Sequence, residues 1–293
     1  MNEKDIKSFI AIIIILVIAT ILAIVGSQGS VLILGGIPLF AFAIGLSFII
    51  QWIAFIPSYL KRTEKFFDLT GSLTYSSVII LSVILSANLD LRSILLTILV
   101  LIWAIRLGTY LFKRIMKEGE DKRFKEIKQS GPQLLMTWTI QGLWVSFTLA
   151  AALAAVTVEE STPFGFVGFI GLLVWIIGFS FEALADYQKS KFRADPNNQG
   201  KFIKTGLWSI SRHPNYFGEI VLWLGIAIIA FPTLVGWSLL TLISPIFVVF
   251  LLTKVSGVPL LEKRADAKWG DQEDYLAYKR DTPVLIPKIK FWK

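Results

Sequence analysis

Residues 209–232 read SISRHPNYFGEIVLWLGIAIIAFP, a polar cluster that runs without a linker into a long apolar stretch. The cluster holds the only histidine of the chain, His213, flanked by Arg212, Pro214 and Asn215. Proline fits the first turn of a helix, where its fixed backbone angle is already helical and its missing amide proton costs nothing. A helix is therefore expected to start near His213, and its body is apolar enough to lie in a bilayer. This stretch reads as a membrane span with a charged mouth.

The rest of the chain agrees. Of 293 residues, 55% are hydrophobic, with 10 Trp and 22 Phe. Several apolar runs reach the roughly 20 helical residues needed to cross a hydrocarbon core. The first, FIAIIIILVIATILAIV, resembles a signal peptide only in its apolarity, because no small-residue cleavage site follows and further spans come at once. Eight spans are expected, at about 8–26, 31–60, 71–88, 92–113, 133–157, 164–188, 214–231 and 235–255.

Charge supports the even count. With the N-terminus inside, the outer connections are SQGS, ANLDL, TVEESTP and FPTLVGW, and of 29 Lys and Arg only Arg92 falls near them. Arg106 lies within the fourth span, and the other basic residues fall on the opposite side. The positive-inside rule then places both termini in the cytoplasm. The fold expected is all-α, a polytopic integral membrane helical bundle. The organisation expected is residues 1–60 as N-terminal transmembrane helices, and 61–293 as one membrane domain with a cytoplasmic tail.

Composition excludes several chemistries. Zero cysteines remove disulfides, thiolate metal sites and thiol catalysis, and one histidine is too few for a multi-histidine metal centre, so no metal is expected. The net charge of +8 is accounted for by loop lysine and arginine rather than by a nucleic-acid surface. The partners expected are the lipid bilayer and a lipophilic small molecule.

Ionisable groups at a membrane edge are costly unless paired or hydrated, which makes clusters of them candidate sites. Glu182, Asp186, Lys189 and Arg193 recur at spacings of four, three and four and so share one helical face. The lysines there read equally well as cations snorkelling to headgroups. Asp186 needs a partner, and a bound ribose or Arg193 would serve. At the start of the seventh span, backbone amides and the helix dipole together with Arg212, Lys204 and Arg193 would make an anion site suited to phosphate. Asn215 and Glu219 follow at i and i+4, able to hold a polar ring or amide deeper in the membrane. His213 alone reads as a cap or as a ligand. In the tail, Arg264, Tyr275 and Tyr278 could close over a planar base. Gly165, Gly168 and Gly171 read as close-packing positions between helices.

The motifs GLWSISRHPNYFGE and LLEKRADAKWGDQEDYLAYKRDTPVLIP resemble the C-terminal half of the steroid 5-alpha-reductase and sterol-reductase superfamily. WAIRLGTYLFKRI, GEDKRF, WTIQG and EALADYQKSKF further resemble its bacterial branch, labelled DUF1295. The resemblance covers about 60–290 and is strongest over 182–286. It implies an NADPH-dependent oxidoreductase acting on CH-CH groups, with a cofactor cavity open to the cytoplasm and a lipidic substrate entering from the bilayer. Helical spans together with a cytosolic cofactor make the bacterial inner membrane the expected location. The matching cofactor positions are Asp186, Arg193, Arg212, His213, Asn215, Glu219, Arg264 and Tyr275.

One departure bears on the substrate. Steroid 5-alpha-reductases carry a glutamine–glutamate pair on an early helix, with a tyrosine, to engage the steroid ketone. Here Gln51 is followed by Trp52. Tyr110, Gln141 and Tyr216 are the catalytic substitutes, although each could be a packing residue with a satisfied polar tip. Two other readings stand beside the reductase. An S-adenosylmethionine-dependent membrane methyltransferase of the isoprenylcysteine or phospholipid type also carries an arginine–histidine–proline signature before a helical hairpin. A lipid-binding or assembly protein would use the cluster only to anchor helix ends.

Overall fold

A computed structural model describes residues 3–86, 89–121, 124–160 and 162–288. Lys122 and Arg123 of the GEDKR loop and the last five residues of the tail lie outside the described residues. Among those described, eight helical segments are long and apolar enough to cross a membrane. The fold is a polytopic membrane helical bundle, as the hydropathy pattern predicts.

Helices α1 (Glu3–Gly26), α2 (Leu39–Lys61), α3 (Phe67–Leu85), α4 (Leu91–Glu118), α6 (Gly131–Thr157), α7 (Phe166–Ala194) and α8 (Pro214–Ala230) supply seven of them. The eighth, Gly236–Trp269, is composite, with α9 (Ile243–Phe250), a π turn at Leu251–Val255 and α10 (Val258–Trp269). The short α5 (Phe124–Ile127) and the tail helix α11 (Glu273–Asp281) complete the set.

The second span differs from its expected start at residue 31. A two-stranded hairpin, β1 (Leu32–Ile33) and β2 (Ile37–Pro38), precedes α2. Its turn, Leu34-Gly35-Gly36, holds three successive residues at positive φ, a conformation no right-handed helix contains. VLILGGIP is apolar throughout, so hydropathy alone cannot separate it from the helix that follows.

By compactness the chain divides into two units, Met1–Gly168 with Ile229–Ser244, and Phe169–Ile228 with Pro245–Lys293. In the first, α6 is central and packs against α1, α2, α3 and α4. Its segment Leu149–Val156 is buried throughout, and the alanines of TLAAALAAV let neighbouring helices approach closely. Arg92, 1% exposed, is the basic residue expected near the outer loops. Its guanidinium donates to the carbonyl of Ile229 in the last turn of α8, to Pro163 O at 2.8 Å and to Thr162 O at 3.4 Å. It thereby neutralises a helix C-terminus whose last carbonyls have no intrahelical donor.

In the second unit α7 and α8 meet backbone to backbone. A Cβ on Gly218 would strike the Glu182 amide nitrogen and lie 2.6 Å from Gly178 O. A Cβ on Gly225 would lie 2.6 Å from Trp175 N and 2.8 Å from Gly171 O, and one on Gly178 would lie 2.7 Å from Gly218 O. Among the glycines expected to pack, Gly171 joins this seam. Gly165 has nothing within 4 Å and Gly168 abuts only Phe164. The seam works through glycine because no side chain separates the two backbones.

Candidate functional site

The glycine seam brings the mouth of α8 onto the last turns of α7. The α8 helix begins at Pro214, and the Phe217 amide closes its first turn on the His213 carbonyl at 3.1 Å. One turn before Gly218, Asn215 Nδ2 donates to Asp186 Oδ1 at 3.3 Å. Asp186 is 5% exposed and Glu182, one turn earlier on α7, is also buried. Asn215 is thus one partner of Asp186, and Arg193 stands exposed in the last turn of α7. The four-residue face foreseen on α7 is split by depth, with two acids buried, Lys189 half-buried over the Trp208 ring at 4.3 Å, and Arg193 in solvent.

The Asn215 amide orientation follows from its partner. A carboxylate only accepts, so Nδ2 faces Asp186 and Oδ1 is left as an acceptor. That oxygen is buried and has no hydrogen-bond partner among the described residues. The same argument fixes His213. Its Nε2 lies 2.9 Å from Glu262 Oε1, so Nε2 carries the proton and Nδ1 is an acceptor, also buried and without a described partner. His213 is 4% exposed, and burial pushes its pKa below the ordinary value. Lys189 and Arg212 push the same way, while the hydrogen bond and charge of Glu262 oppose them.

Glu262, from LLEK in α10, is the residue that sequence reasoning missed as part of the site. It pairs with His213, with Arg212 Nη1 at 3.4 Å and with Lys279 Nζ at 3.8 Å. Arg212 Nη1 also donates to Lys279 O at 3.1 Å. Lys279 in turn meets Asp266 at 2.6 Å, and the Tyr275 hydroxyl donates to Asp266 Oδ1 at 2.8 Å. The expected phosphate-type cluster of Arg193, Lys204 and Arg212 is thus distributed. Arg212 is turned onto Glu262, Lys204 pairs with Asp274 at 3.1 Å, and Arg193 is exposed.

The tail helix is held by aromatic packing. Phe202 meets Tyr275 edge-on at 5.3 Å and lies 5.4 Å from Tyr278, whose hydroxyl donates to Trp208 O at 2.6 Å. Burial raises the pKa of both tyrosines above the ordinary phenol value, so both stay protonated donors. Tyr275 is buried within this cluster, and Arg264 projects exposed from α10. Tyr216 stacks on His213, with ring planes 9° apart and centroids at 5.6 Å. Glu219 is half-buried one turn further along α8.

Tyr110 and Gln141 belong to the first unit. Tyr110 is half-buried on α4. Gln141, on α6, donates through Nε2 to Phe67 O at 3.2 Å.

Together the fold and this polar mouth define a polytopic membrane protein with a buried, acceptor-rich site at the start of α8. The chain belongs to the family described as Protein of unknown function (DUF1295), whose profile matches residues 54–282. It is 30% identical over 168 residues to a Delta(14)-sterol reductase of Methylotuvimicrobium alcaliphilum, covering 50% of this chain and 36% of that protein. It is 36% identical over 73 residues to a Probable 7-dehydrocholesterol reductase of Acanthamoeba polyphaga mimivirus, covering 19% of this chain and 16% of that protein. The chain thus spans little more than a third of the length of the longer-matching curated relative. These matches bear out the sterol-reductase superfamily resemblance carried by the motifs. No solved structure matches it significantly.

Proposed function

We propose that the chain is a membrane-embedded reductase that uses NADPH to saturate a carbon–carbon double bond of a lipidic substrate. The observation that carries this reading is the pair of buried acceptors, Asn215 Oδ1 and His213 Nδ1, each oriented by a carboxylate that holds the opposite nitrogen. Such acceptors suit the carboxamide N–H and ribose hydroxyls of a nicotinamide nucleotide. Exposed Arg193 and Arg264 are the cations available to its phosphates. The names of the curated relatives support a reducing activity on a lipid.

When bound, NADPH supplies a hydride, and the enzyme's task is placement and a proton source. Asp186 orients the Asn215 amide, and Glu262 fixes the His213 tautomer and holds Arg212. Glu219 extends the polar face of α8 toward the bilayer. Tyr275 acts by bracing the tail through Asp266. Tyr216, held flat against His213, is the proposed proton donor in the second unit, and Tyr110 the alternative in the first. Gln141 is no acid, because an amide does not release a proton near neutral pH; its role is to position substrate. A cytosolic nucleotide and eight helical spans support a location in the bacterial inner membrane with both termini inside.

Calorimetric titration of purified protein in detergent or nanodiscs with NADPH and with S-adenosylmethionine tests the reading. Micromolar NADPH binding, weakened about tenfold or more by Asp186→Ala or Asn215→Ala, is expected. Methyl-donor binding without NADPH binding would favour the methyltransferase. Binding of neither would leave a non-enzymatic protein.

A further inference from the structure

The β1–β2 hairpin ahead of α2 plays no part in the proposed cofactor site. It joins the end of α1 to the start of α2, at the end of the first unit that the charge pattern predicts to face outward. Its root is fixed to the last residues of α6. Val31 N donates to Thr157 O at 2.8 Å, Glu159 N donates to Gly29 O at 2.8 Å, and Ser30 pairs with Val158 in an isolated antiparallel bridge. Ser30 Oγ also accepts from Phe40 N at 3.0 Å, which ties the same root to the start of α2. Beyond that root the turn stands clear: among the described residues, a Cβ on Gly35 or Gly36 would meet nothing within 4 Å.

The side chains on this free tip are unsuited to water. Leu34 is 76% exposed, Leu32 63% and Ile37 46%. Leu34 sits at φ 47°, in the left-handed region that turns in water give to Gly, Asn or Asp. A leucine there carries both backbone strain and exposed apolar surface, and immersion in lipid removes the second cost. Electrostatics offers the tip no other partner, because no residue from Ser8 to Leu60 carries a formal charge.

The neighbouring surface identifies the occupant. Gln28, two residues before Ser30, accepts from the Trp237 amide at 2.5 Å, which sets Trp237 of the same unit beside the root of the hairpin. Trp237 is 68% exposed, and exposed tryptophan concentrates where hydrocarbon meets water. From the hairpin the exposed apolar surface continues onto α1 through Ile24 and Ile21, on a helix apolar enough to lie in the bilayer. A second protein chain has little to hold, because strands of two residues present too short an edge for pairing. We propose that the Leu32–Ile37 hairpin is a lipid-immersed wedge, its tip lying below the phosphates of the adjoining leaflet among glycerol backbones and upper acyl chains. Apolar burial holds it there, not headgroup charge. Nothing in this inference depends on the reductase reading.

The chain has no cysteine, so a nitroxide on Leu34→Cys or Leu32→Cys is uniquely placed. The test is power-saturation EPR on the full chain in phosphatidylcholine nanodiscs, comparing access of oxygen with access of a water-soluble nickel chelate. Ile14→Cys, 53% exposed on α1, is the lipid reference, and Glu160→Cys, exposed beyond α6, is the water reference. Both tip labels should favour oxygen over nickel, on the side of Ile14→Cys, and should keep that ratio when phosphatidylglycerol is added. Adding Leu34→Asp should shift the label at Leu32→Cys toward nickel. Nickel access at the tip equal to that at Glu160→Cys would overturn the proposal. So would protection from both reagents or dipolar broadening between labels, which would mark a protein partner or a second copy. The two labels report independently, so one variant that fails to fold leaves the other to decide.

Discussion

Substituting Gly218 by alanine should uncouple the α7–α8 seam from the site it positions. The added Cβ would lie 2.6 Å from Gly178 O and 2.9 Å from Glu182 Cα, both backbone atoms that no rotamer change can move aside. Ordinary contact begins at 3.4 Å, so the helices must part by at least about 0.8 Å, the difference between 3.4 and 2.6 Å, and by more at the nearer Glu182 amide nitrogen. Asn215, one turn away, already sits 3.3 Å from Asp186 and would move out of hydrogen-bond range. Overpacking of this kind costs about 1–3 kcal/mol in stability. Loss of the Asn215 orientation should weaken NADPH binding by roughly a further tenfold, the worth of one hydrogen bond to a charged group. Calorimetry of the variant, with thermal unfolding to show that it still folds, measures both. Gly165→Ala, with nothing within 4 Å, is the neutral control. Gly225→Ala should cost similar stability but little affinity, because it lies about 15 Å along α8 from Asn215. A folded Gly218→Ala protein with undiminished NADPH affinity would refute the claim that close backbone approach sets the site.

Three further outcomes follow from the same geometry. Glu262→Gln removes the charge that holds Arg212 and His213, and should weaken NADPH binding by about 10- to 100-fold by calorimetry, in line with charged hydrogen bonds of about 1.5–3 kcal/mol. His213 is buried with a pKa below its ordinary 6.5, so as pH falls through that value the unfolded chain takes up the proton first. The stability present above 6.5 is then lost toward lower pH, and the unfolding midpoint should drop on acidification in the unaltered protein by more than in His213→Gln. An equal drop in both would exclude His213 as the cause. Arg92→Leu strips donors from the carbonyls of Ile229 and Pro163, each costing about 1–3 kcal/mol when buried and unmet, and should lower the thermal midpoint without a specific effect on NADPH affinity.

Much of this architecture is legible in the sequence because lipid demands long apolar runs, and long runs leave an unmistakable pattern. Pro214 announced the start of α8 for a purely local reason, its fixed φ. The hairpin before α2 was hidden because VLILGGIP is as apolar as the helix it precedes. Asp186 and Asn215 were legible as site candidates by their place at a membrane edge, yet their mutual bond depends on the contact of Gly218 with Gly178. That contact is a tertiary fact with no local signal. Glu262 was obscured by a tail crowded with acids and bases, in which nothing but the fold selects the carboxylate that meets His213. Arg92 could be recognised as exceptional as the one basic residue beside the expected outer connections, but its function as a clamp on a distant helix end required the fold.

The most direct measurement is an experimental structure of the chain with NADPH bound. The account predicts the nicotinamide carboxamide within about 3 Å of Asn215 Oδ1, with Asn215 still donating to Asp186 and His213 still held by Glu262. Nucleotide bound away from the start of α8, or an Asn215 oxygen met only by water in the complex, would contradict it.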